Sequence, residues 1–134
     1  DVVQLPISVY DQRLIRNHGI ETLSASGIEV HARSIFLQGL ILMSPEAVER
    51  KFGLAARSHQ EQFHSACDDF GTTPLEVCMD FARQIVGLSR IVIGATSPSE
   101  IMQICEAARG APSAIHWEAH EYLDVSVIDP AQWS

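Results

Sequence analysis

Positive charge is scarce in this sequence. Its 134 residues contain nine Lys plus Arg against 17 Asp plus Glu, so the formal net charge at pH 7 is −8. Because nucleic-acid-binding surfaces need clustered positive side chains, this balance argues against such a protein. The sequence also lacks an apolar run near the ~20 residues of a membrane-spanning helix. With 46% hydrophobic and 19% charged residues, it indicates one globular domain with a real core.

Cysteines are few, and their spacing shows no pairs. Cys67, Cys78 and Cys105 fall in mostly apolar or helical contexts, which predicts reduced thiols in a cytoplasmic protein, with Cys78 and Cys105 in the core. An initiator Met, a signal peptide and a leading polar tail are absent too, and the sequence opens at Asp1 directly in a predicted strand. Because a buried parallel strand needs flanking structure, we expect this chain to belong to a longer protein.

Residues 90–105 carry the most informative pattern. The β-branched run 91–93 shows no alternation, which is typical of a strand buried on both faces of a parallel sheet. Gly94 ends the strand, and Ser97 to Glu100 predict a capping box with Pro98 at the first helical position. Such a βα corner directs backbone N–H groups and a helix dipole at one point, which suits an anion. A connection without any ligand explains the same residues.

Three predicted strands, 2–9, 28–35 and 90–94, are each followed by a predicted helix. This order indicates parallel strands joined by right-handed crossovers, and therefore an α/β fold made of parallel (β/α) units. A G-x-G-x-x-G motif does not follow any of these strands, so a Rossmann nucleotide site is not indicated. The helices are expected at 13–25, 45–52, 54–69, 74–86, 98–109 and 114–122, and the tail 123–134 is expected to be a surface strap.

Helical periodicity predicts which side chains face the core. The first helix is expected to turn inward Leu14, Ile15, His18 and Leu23. Helix 54–69 is expected to turn inward Leu54, Ala55, Phe63, Ala66 and Cys67. Helix 74–86 is expected to turn inward Leu75, Cys78, Met79, Ala82 and Val86.

Polar residues interrupt the first two predicted strands. Gln4 is either a hydrogen-bonded buried amide or a ligand contact. Glu29, His31 and Arg33 share one face of the second strand, as in the solvated face of an edge strand or in the polar lining of a site. The loop 36–43 is too apolar for solvent, so we expect it to pack over other elements.

Histidine spacing does not predict a metal site. His116 and His120 lie four residues apart beside Glu121, a spacing that can hold zinc, but their order is H-x-E-x-H rather than H-E-x-x-H. A surface pair is the expected interpretation. His59 and His64 are five residues apart and are expected to face in different directions. A Ser-His-Asp order or a paired-carboxylate motif does not stand out either.

Three separated motifs carry a resemblance to a known family. They are residues 1–13, from Asp-Val-Val-Gln-Leu-Pro to Asp-Gln-Arg; residues 33–40, Arg-Ser-Ile-Phe-Leu-Gln-Gly-Leu; and residues 92–98, Val-Ile-Gly-Ala-Thr-Ser-Pro. In their order and spacing, the chain resembles the last three βα units and the C-terminal tail of the aldo-keto reductase family. The resemblance spans essentially all 134 residues. It implies that residues 1–134 are the C-terminal segment of a TIM (β/α)8 barrel, that is, a partial barrel.

The resemblance implies an NAD(P)H-dependent enzyme that reduces aldehydes or ketones. By position, Gln4 matches the Gln that holds the nicotinamide carboxamide in that family. Arg33 and Ser34 match an aromatic-Ser pair whose ring stacks on the nicotinamide. The turn that holds the adenosine phosphates is matched by Gly94, Ala95, Thr96 and Ser97. All these positions lie at the carboxyl ends of strands, where barrels of this type keep their chemistry.

Three positions depart from the family pattern. Arg33 replaces the aromatic residue, and a cation is a poorer partner for a ring that becomes cationic on oxidation. Glu100 stands where a basic residue often grips the 2′-phosphate of NADP, so the cofactor is expected to be NAD(H) before NADP(H). Ile104 and Cys105 replace a Glu-Asn pair that reads the adenine, so adenine recognition is expected to be weaker.

The catalytic Asp, Tyr, Lys and His of the family come from its first four strands, which have no counterpart here. The sequence contains only Tyr10 and Tyr122 as tyrosines and only Lys51 as a lysine, so we assign no catalytic residue and predict no turnover by this chain. Two hypotheses follow. The chain is a fragment of an oxidoreductase that supplies part of the cofactor site, or it is a non-catalytic half-barrel assembly module or a degenerate reductase-like subunit.

Both hypotheses predict association with other chains rather than a lone monomer. Three βα units taken from a closed barrel have two unpaired strand edges and an open inner face. That face is expected to bear Val3, Leu5, Val30 and Val92. We therefore expect self-association, or pairing with the N-terminal half of the same barrel. The resemblance implies that the partners of the complete protein are a dinucleotide and a small carbonyl substrate, and we expect neither nucleic acid nor a membrane as a partner.

Overall fold

The computed structural model describes residues 1–133. Strands β1 (Val2–Pro6), β2 (Glu29–Arg33) and β3 (Leu88–Val92) form a parallel sheet in the order β1-β2-β3, and helices lie between successive strands. The predicted α/β class is therefore confirmed at this level. The first strand ends at Pro6, earlier than expected, and residues 7–12 continue as a buried loop.

The helices follow the predicted order with two exceptions that are described below. Their bounds are α1 (Arg13–Arg16), α2 (Gly19–Ala25), α3 (Pro45–Phe52), α4 (Leu54–Asp69), α5 (Pro74–Gln84), α6 (Pro98–Arg109) and α7 (Val125–Ile128). Three 3-10 turns lie at Leu40–Leu42, Trp117–His120 and Pro130–Gln132. Within residues 1–133 there is no helix both long enough and apolar enough to cross a membrane.

The two faces of the sheet differ sharply in polarity. Val30 and Ala32 of β2 are fully buried in the core, and Val3 and Leu5 of β1, opposite them in register, pack against the same core. This is the face that the helices cover. The other face, which we call the open face, carries the alternate residues of the three strands: Val2, Gln4, Pro6, Glu29, His31, Arg33, Arg90 and Val92.

The predicted composition of the open face was therefore mostly wrong. Val3, Leu5 and Val30 face the helices, and only Val92 lies on the open side, where 41% of it is exposed. The strand that includes residues 91–93 was also expected to be buried on both faces. Instead, Arg90 and Val92 of this strand are exposed on the open face. The strand also lies at an edge of the described sheet, because β2 is its only hydrogen-bonded neighbour. An apolar run without alternation does not reveal how many neighbours a strand has.

The observed helix starts agree well with the predicted ones, because a helix cap depends only on residues that are close in sequence. The Thr73 hydroxyl accepts the Glu76 backbone N–H at 3.3 Å, and the Glu76 carboxylate accepts the Thr73 N–H at 2.8 Å. This is the predicted capping box at the start of α5. The Ser44 hydroxyl likewise caps α3 by accepting the Ala47 N–H at 3.3 Å.

Two predicted helices are not continuous helices. The region 13–25 is broken at His18, which has a left-handed φ of 57°, and the Asn17 side chain accepts the Gly19 N–H at the break. Asn side chains compete with helical backbone bonds in this way. His18 is therefore exposed, not part of the core stripe. The region 114–122 contains only a 3-10 turn.

The C-terminal segment is irregular because part of its backbone bonds to distant groups. Ser113 donates its N–H to the buried Asp80 carboxylate at 2.9 Å, and Tyr122 donates its N–H to the Tyr10 carbonyl at 2.9 Å. The following tail is more than a surface strap, since Val127 and Ile128 are buried in the core.

Several expected core positions lie at the surface. In α4 the buried residues are Ala56, Gln60, Phe63 and Cys67, spaced as one helical stripe. Leu54 and Ala55, which precede that stripe, are exposed. Val86 is 77% exposed because α5 ends before it. Cys67 and Cys78 are buried, as expected, whereas Cys105 is exposed.

Candidate functional site

A groove of about 800 Å³ lies at the carboxyl ends of β2 and β3. One wall is the segment after β2, and the other is the turn after β3 with the first two turns of α6. We call this feature the groove. Its lining residues are Arg33, Ser34, Ile35, Phe36, Gln38, Gly39, Leu42, Leu75, Val92, Ile93, Gly94, Ala95, Thr96, Glu100, Gln103 and Ile104.

The groove brings together six of the eight residues that the sequence proposed for cofactor binding. These are Arg33, Ser34, Gly94, Ala95, Thr96 and Glu100. Neighbouring parallel strands β2 and β3 explain this proximity, because their carboxyl ends lie at the same edge of the sheet. Gln4 lies apart from them, exposed on the open face opposite His31. Ser97 does not line the groove, because its hydroxyl caps α6.

A carboxylate of the chain already occupies the predicted anion position. Thr96 donates its backbone N–H to Glu100 Oε2 at 2.6 Å and its hydroxyl to the two carboxylate oxygens at 3.1 and 3.0 Å. Ser97 Oγ accepts the Glu100 N–H at 3.2 Å. Only this second half matches the expected capping box, since the Glu100 side chain reaches Thr96 rather than Ser97. The hydrogen bonds from the Thr96 backbone and hydroxyl lower the pKa of Glu100.

The charges at the groove are therefore one carboxylate on one wall and one guanidinium on the other. Arg33 is exposed at the end of β2, and its Nη1 atom lies 3.4 Å from Ser34 Oγ. Between these charges the lining is largely apolar, with Phe36, Leu42 and Leu75 among its members. A cleft with apolar walls and a few polar groups suits a small ligand that carries both a ring and an anionic group.

The wall after β2 has unusual backbone geometry. Ser34, Leu37 and Gln38 have left-handed φ values of 59°, 49° and 56°, and Gly39 follows with 84°. Residues other than glycine seldom adopt this conformation. The segment turns back on itself through hydrogen bonds from Leu37 N–H to the Ser34 carbonyl at 2.8 Å and from Gly39 N–H to the Phe36 carbonyl at 2.9 Å.

Sequence reasoning missed several lining residues. Gln38 and Gln103 supply amide groups to opposite walls, and Leu75 reaches the groove from the start of α5. Gln103 had a usable signal, because it lies three residues after Glu100 and so on the same helix face. Gln38 had none, since its position depends on the left-handed backbone of its loop. The loop 36–43 does pack against the core, as predicted, through buried Leu37, Leu40 and Ile41.

A second polar group lies on the open face. Glu29 Oε1 is 2.9 Å from His31 Nε2 and 3.4 Å from Arg90 Nε. The hydrogen bond with His31, followed by the charges of His31 and Arg90, lowers the pKa of Glu29. These residues and Arg33 give the open face mixed charge. The Glu29, His31 and Arg33 pattern therefore agrees with both interpretations. These residues lie on a solvated face of the sheet, and Arg33 at its end lines the groove.

The histidines do not form a metal site in residues 1–133, where the structure contains no group of three or more His, Cys, Asp or Glu side chains placed to bind a metal. His59 Nε2 lies 3.0 Å from the His120 carbonyl, and burial lowers the pKa of both imidazoles. Tyr10 is buried in the core and does not line the groove. Its hydroxyl is buried and donates to Gln60 Oε1 at 2.7 Å, and burial raises its pKa further.

Neither the models of known protein families nor the curated proteins match this chain. The interpretation of the groove therefore depends on its own geometry and on the sequence resemblance described above.

Proposed function

We propose that this chain supplies part of a dinucleotide site in an aldo-keto reductase-like (β/α)8 barrel. It is then the C-terminal fragment of an NAD(P)-dependent oxidoreductase that reduces aldehydes or ketones. The observation that carries this proposal is the groove. Residues 33–34 and 94–96, which come from separate motifs, meet along one cleft of about 800 Å³ at the carboxyl ends of parallel strands. Parallel α/β sheets and barrels bind ligands at this end.

The lining fits a dinucleotide in its chemistry. Arg33 can bind a phosphate with two parallel N–H groups or stack on a planar ring through its guanidinium. Ser34 adds a hydroxyl, and Phe36, Leu42 and Ile104 provide apolar surface for a base or a nicotinamide. The nicotinamide, when bound, supplies the hydride. Gln4 lies on the open face and does not line the groove. In the proposed barrel, the nicotinamide reaches the Gln4 side chain from the barrel interior.

The Glu100 carboxylate favours NAD(H) over NADP(H). Its lowered pKa keeps it ionised near pH 7, so it repels a 2′-phosphate that approaches the start of α6. A carboxylate oxygen that already accepts from Thr96 has a further lone pair and can still accept a ribose hydroxyl.

Calorimetric titration of the chain with NAD+ and NADP+ tests this proposal. We expect NAD+ to bind more tightly, and we expect Glu100→Gln to reduce the difference several-fold because it removes the charge but keeps the side-chain shape. Glu106→Gln, on the exposed side of the same helix, is the matched control and leaves the preference unchanged. Tighter binding of NADP+ by the unmodified chain would refute the cofactor assignment. Absence of binding of either dinucleotide would refute the proposed site.

The second candidate function is a non-catalytic half-barrel module or a degenerate reductase-like subunit. The observation that favours it is the internal Thr96–Glu100 pairing, which fills the place of a phosphate with a group of the chain itself. Arg33 and Ile104, which depart from the family pattern, point the same way. The intact mass of the natural gene product separates the two candidates, because a complete barrel needs about 250 residues or more.

We further propose that the chain does not exist as a lone monomer. Strands β1 and β3 each have a single hydrogen-bonded neighbour in the described sheet, so each leaves an edge that another strand can pair with. The partner is a second copy of the chain or the N-terminal half of the same barrel. A cytoplasmic location belongs to the same proposal and stays a prediction.

A further inference from the structure

The segment between β2 and α3 forms one wall of the groove and has unusual backbone geometry. Three of its residues, Ser34, Leu37 and Gln38, keep left-handed backbone conformations that residues with a Cβ disfavour. Such conformations persist where the surroundings over-determine them, and they cluster at binding sites. One buried polar group of helix α4 bonds to the backbone of this segment just beyond these residues, at Leu40, Ile41 and Met43.

Gln60 is that group. It is fully buried, and its Nε2 atom lies 3.1, 2.9 and 2.8 Å from the carbonyl oxygens of Leu40, Ile41 and Met43. Three carbonyls around one nitrogen fix the orientation of the carboxamide, because only the NH2 end can donate. His64 belongs to the same cluster, since its Nε2 atom lies 3.0 Å from the Ile41 carbonyl oxygen and 3.0 Å from Gln60 Nε2.

The other end of the Gln60 side chain is fixed as well. Its Oε1 atom accepts the hydroxyl hydrogen of Tyr10 at 2.7 Å, and the Tyr10 ring packs edge-on against Phe63 of the same helix. Tyr10 belongs to the buried loop after β1. The Gln60 carboxamide therefore connects the loop after β1 to the carbonyls of 40–43, a few residues beyond the strained wall of the groove.

We propose that Gln60 is a positioning residue that holds the 34–39 wall of the groove in its ligand-ready conformation. This inference rests on the proposed function for the identity of the ligand, and on the hydrogen-bond geometry for the mechanism. Gln60 does not line the groove. Its loss releases the carbonyls of 40–43, the left-handed residues relax toward ordinary φ values, and the wall that carries Ser34 and Gln38 becomes mobile.

The test compares Gln60→Leu with Cys67→Ala in the 134-residue chain. Cys67 is the matched control because it is fully buried in the same helix, seven residues further on. Native-state hydrogen exchange is measured at the amides of Leu37 and Gly39, which bond within the wall, and at core amides of α5. Tyr10→Phe, which removes only the hydrogen bond to Gln60 Oε1, is the milder variant that applies if Gln60→Leu does not fold.

In Gln60→Leu we expect the wall amides to exchange about ten-fold faster relative to the core amides, because the opening is local. In Cys67→Ala wall and core accelerate by the same factor. Affinity for NAD+ falls about ten-fold in Gln60→Leu and is retained in Cys67→Ala. Equal acceleration of wall and core in Gln60→Leu would overturn the positioning role. If the unmodified chain does not bind NAD+, the proposed function fails, and the exchange ratio still decides the role of Gln60.

Discussion

At the residue scale, the Glu100 carboxylate lies at the start of α6. In a βα corner without such a side chain, a phosphate can bind at this position. The Glu100 carboxylate accepts both the N–H and the hydroxyl of Thr96. A ligand anion at this position must therefore compete with a group that is covalently tethered to the site. We therefore propose that this corner takes a ribose hydroxyl rather than a phosphate.

His59 makes the stability of the folded chain depend on pH, and the sign of this dependence follows from the burial of its imidazole. Its ring centroid lies 4.6 Å from those of Tyr10 and Tyr122, and burial is the main cause of its lowered pKa. The unfolded chain therefore binds a proton more readily than the folded chain. The stabilising contribution is complete above the unfolded-state pKa of about 6.5 and is lost as the pH falls below it.

We predict that the free energy of unfolding decreases as the pH falls from about 7 to about 5.5. His59→Phe makes this dependence shallower, although half-buried His120 retains part of it. Urea unfolding at a series of pH values measures the effect. His116→Gln, at an exposed position, is the matched control. A slope that His59→Phe does not alter would contradict the assignment.

At the scale of elements, the caps decide where helices begin. The reciprocal Thr73–Glu76 pair satisfies two backbone N–H groups at the start of α5, a helix that buries Val77, Cys78 and Phe81. Removing the Thr73 hydroxyl leaves the Glu76 N–H without its partner. We predict that Thr73→Ala lowers the free energy of unfolding by about 1 kcal/mol.

Denaturant unfolding of Thr73→Ala measures that loss. Thr73→Ser keeps a hydroxyl at the cap and is the matched control, with a change of only a few tenths of a kcal/mol. If both variants lose the same stability, the lost methyl group rather than the cap carries the effect, and the capping argument is wrong.

Elements that depend on nearby residues were predictable, and those that depend on distant ones were not. The start of α5 and the bounds of α4 and α6 follow from caps, glycines and periodicity within each segment. The segment 114–122 looks helical by itself, but its backbone and flanks bond to Asp80 and Tyr10. Such tertiary hydrogen bonds override local preference, and local patterns carry no sign of them.

The same distinction applies to the groove. Two neighbouring parallel strands place Arg33 close to Gly94, and this follows from strand order alone. The conformation of the wall that carries Gln38 does not follow from strand order. We infer that this conformation depends on Gln60, which bonds to carbonyls about 20 residues away in sequence.

At the scale of the whole molecule, the open face changes how association should occur. Its charged residues, among them Glu29, Arg33 and Arg90, make burial of the face less favourable than burial of an apolar face. The unpaired backbone of β1 and β3 remains available at the two edges. We therefore propose that association occurs by pairing through these edges rather than through the face.

Light scattering on the purified chain measures this association. We predict species larger than the 14.8 kDa monomer, with a fraction that decreases on dilution. When the N-terminal half of the same barrel is also present, we expect the chain to form a stable complex with it instead of associating with itself. A sharp monomer peak with cooperative unfolding would contradict the picture of an open barrel fragment.

The claim on which the account depends most is that the groove binds a nicotinamide dinucleotide. Amide chemical shifts of the 15N-labelled chain, followed during titration with NAD+, test it most directly because they locate the ligand. We predict saturable shifts at Ser34, Gly94 and Thr96, while amides of α3, none of whose residues lines the groove, stay unchanged. An absence of saturable shifts, or shifts that map away from the groove, would contradict the account.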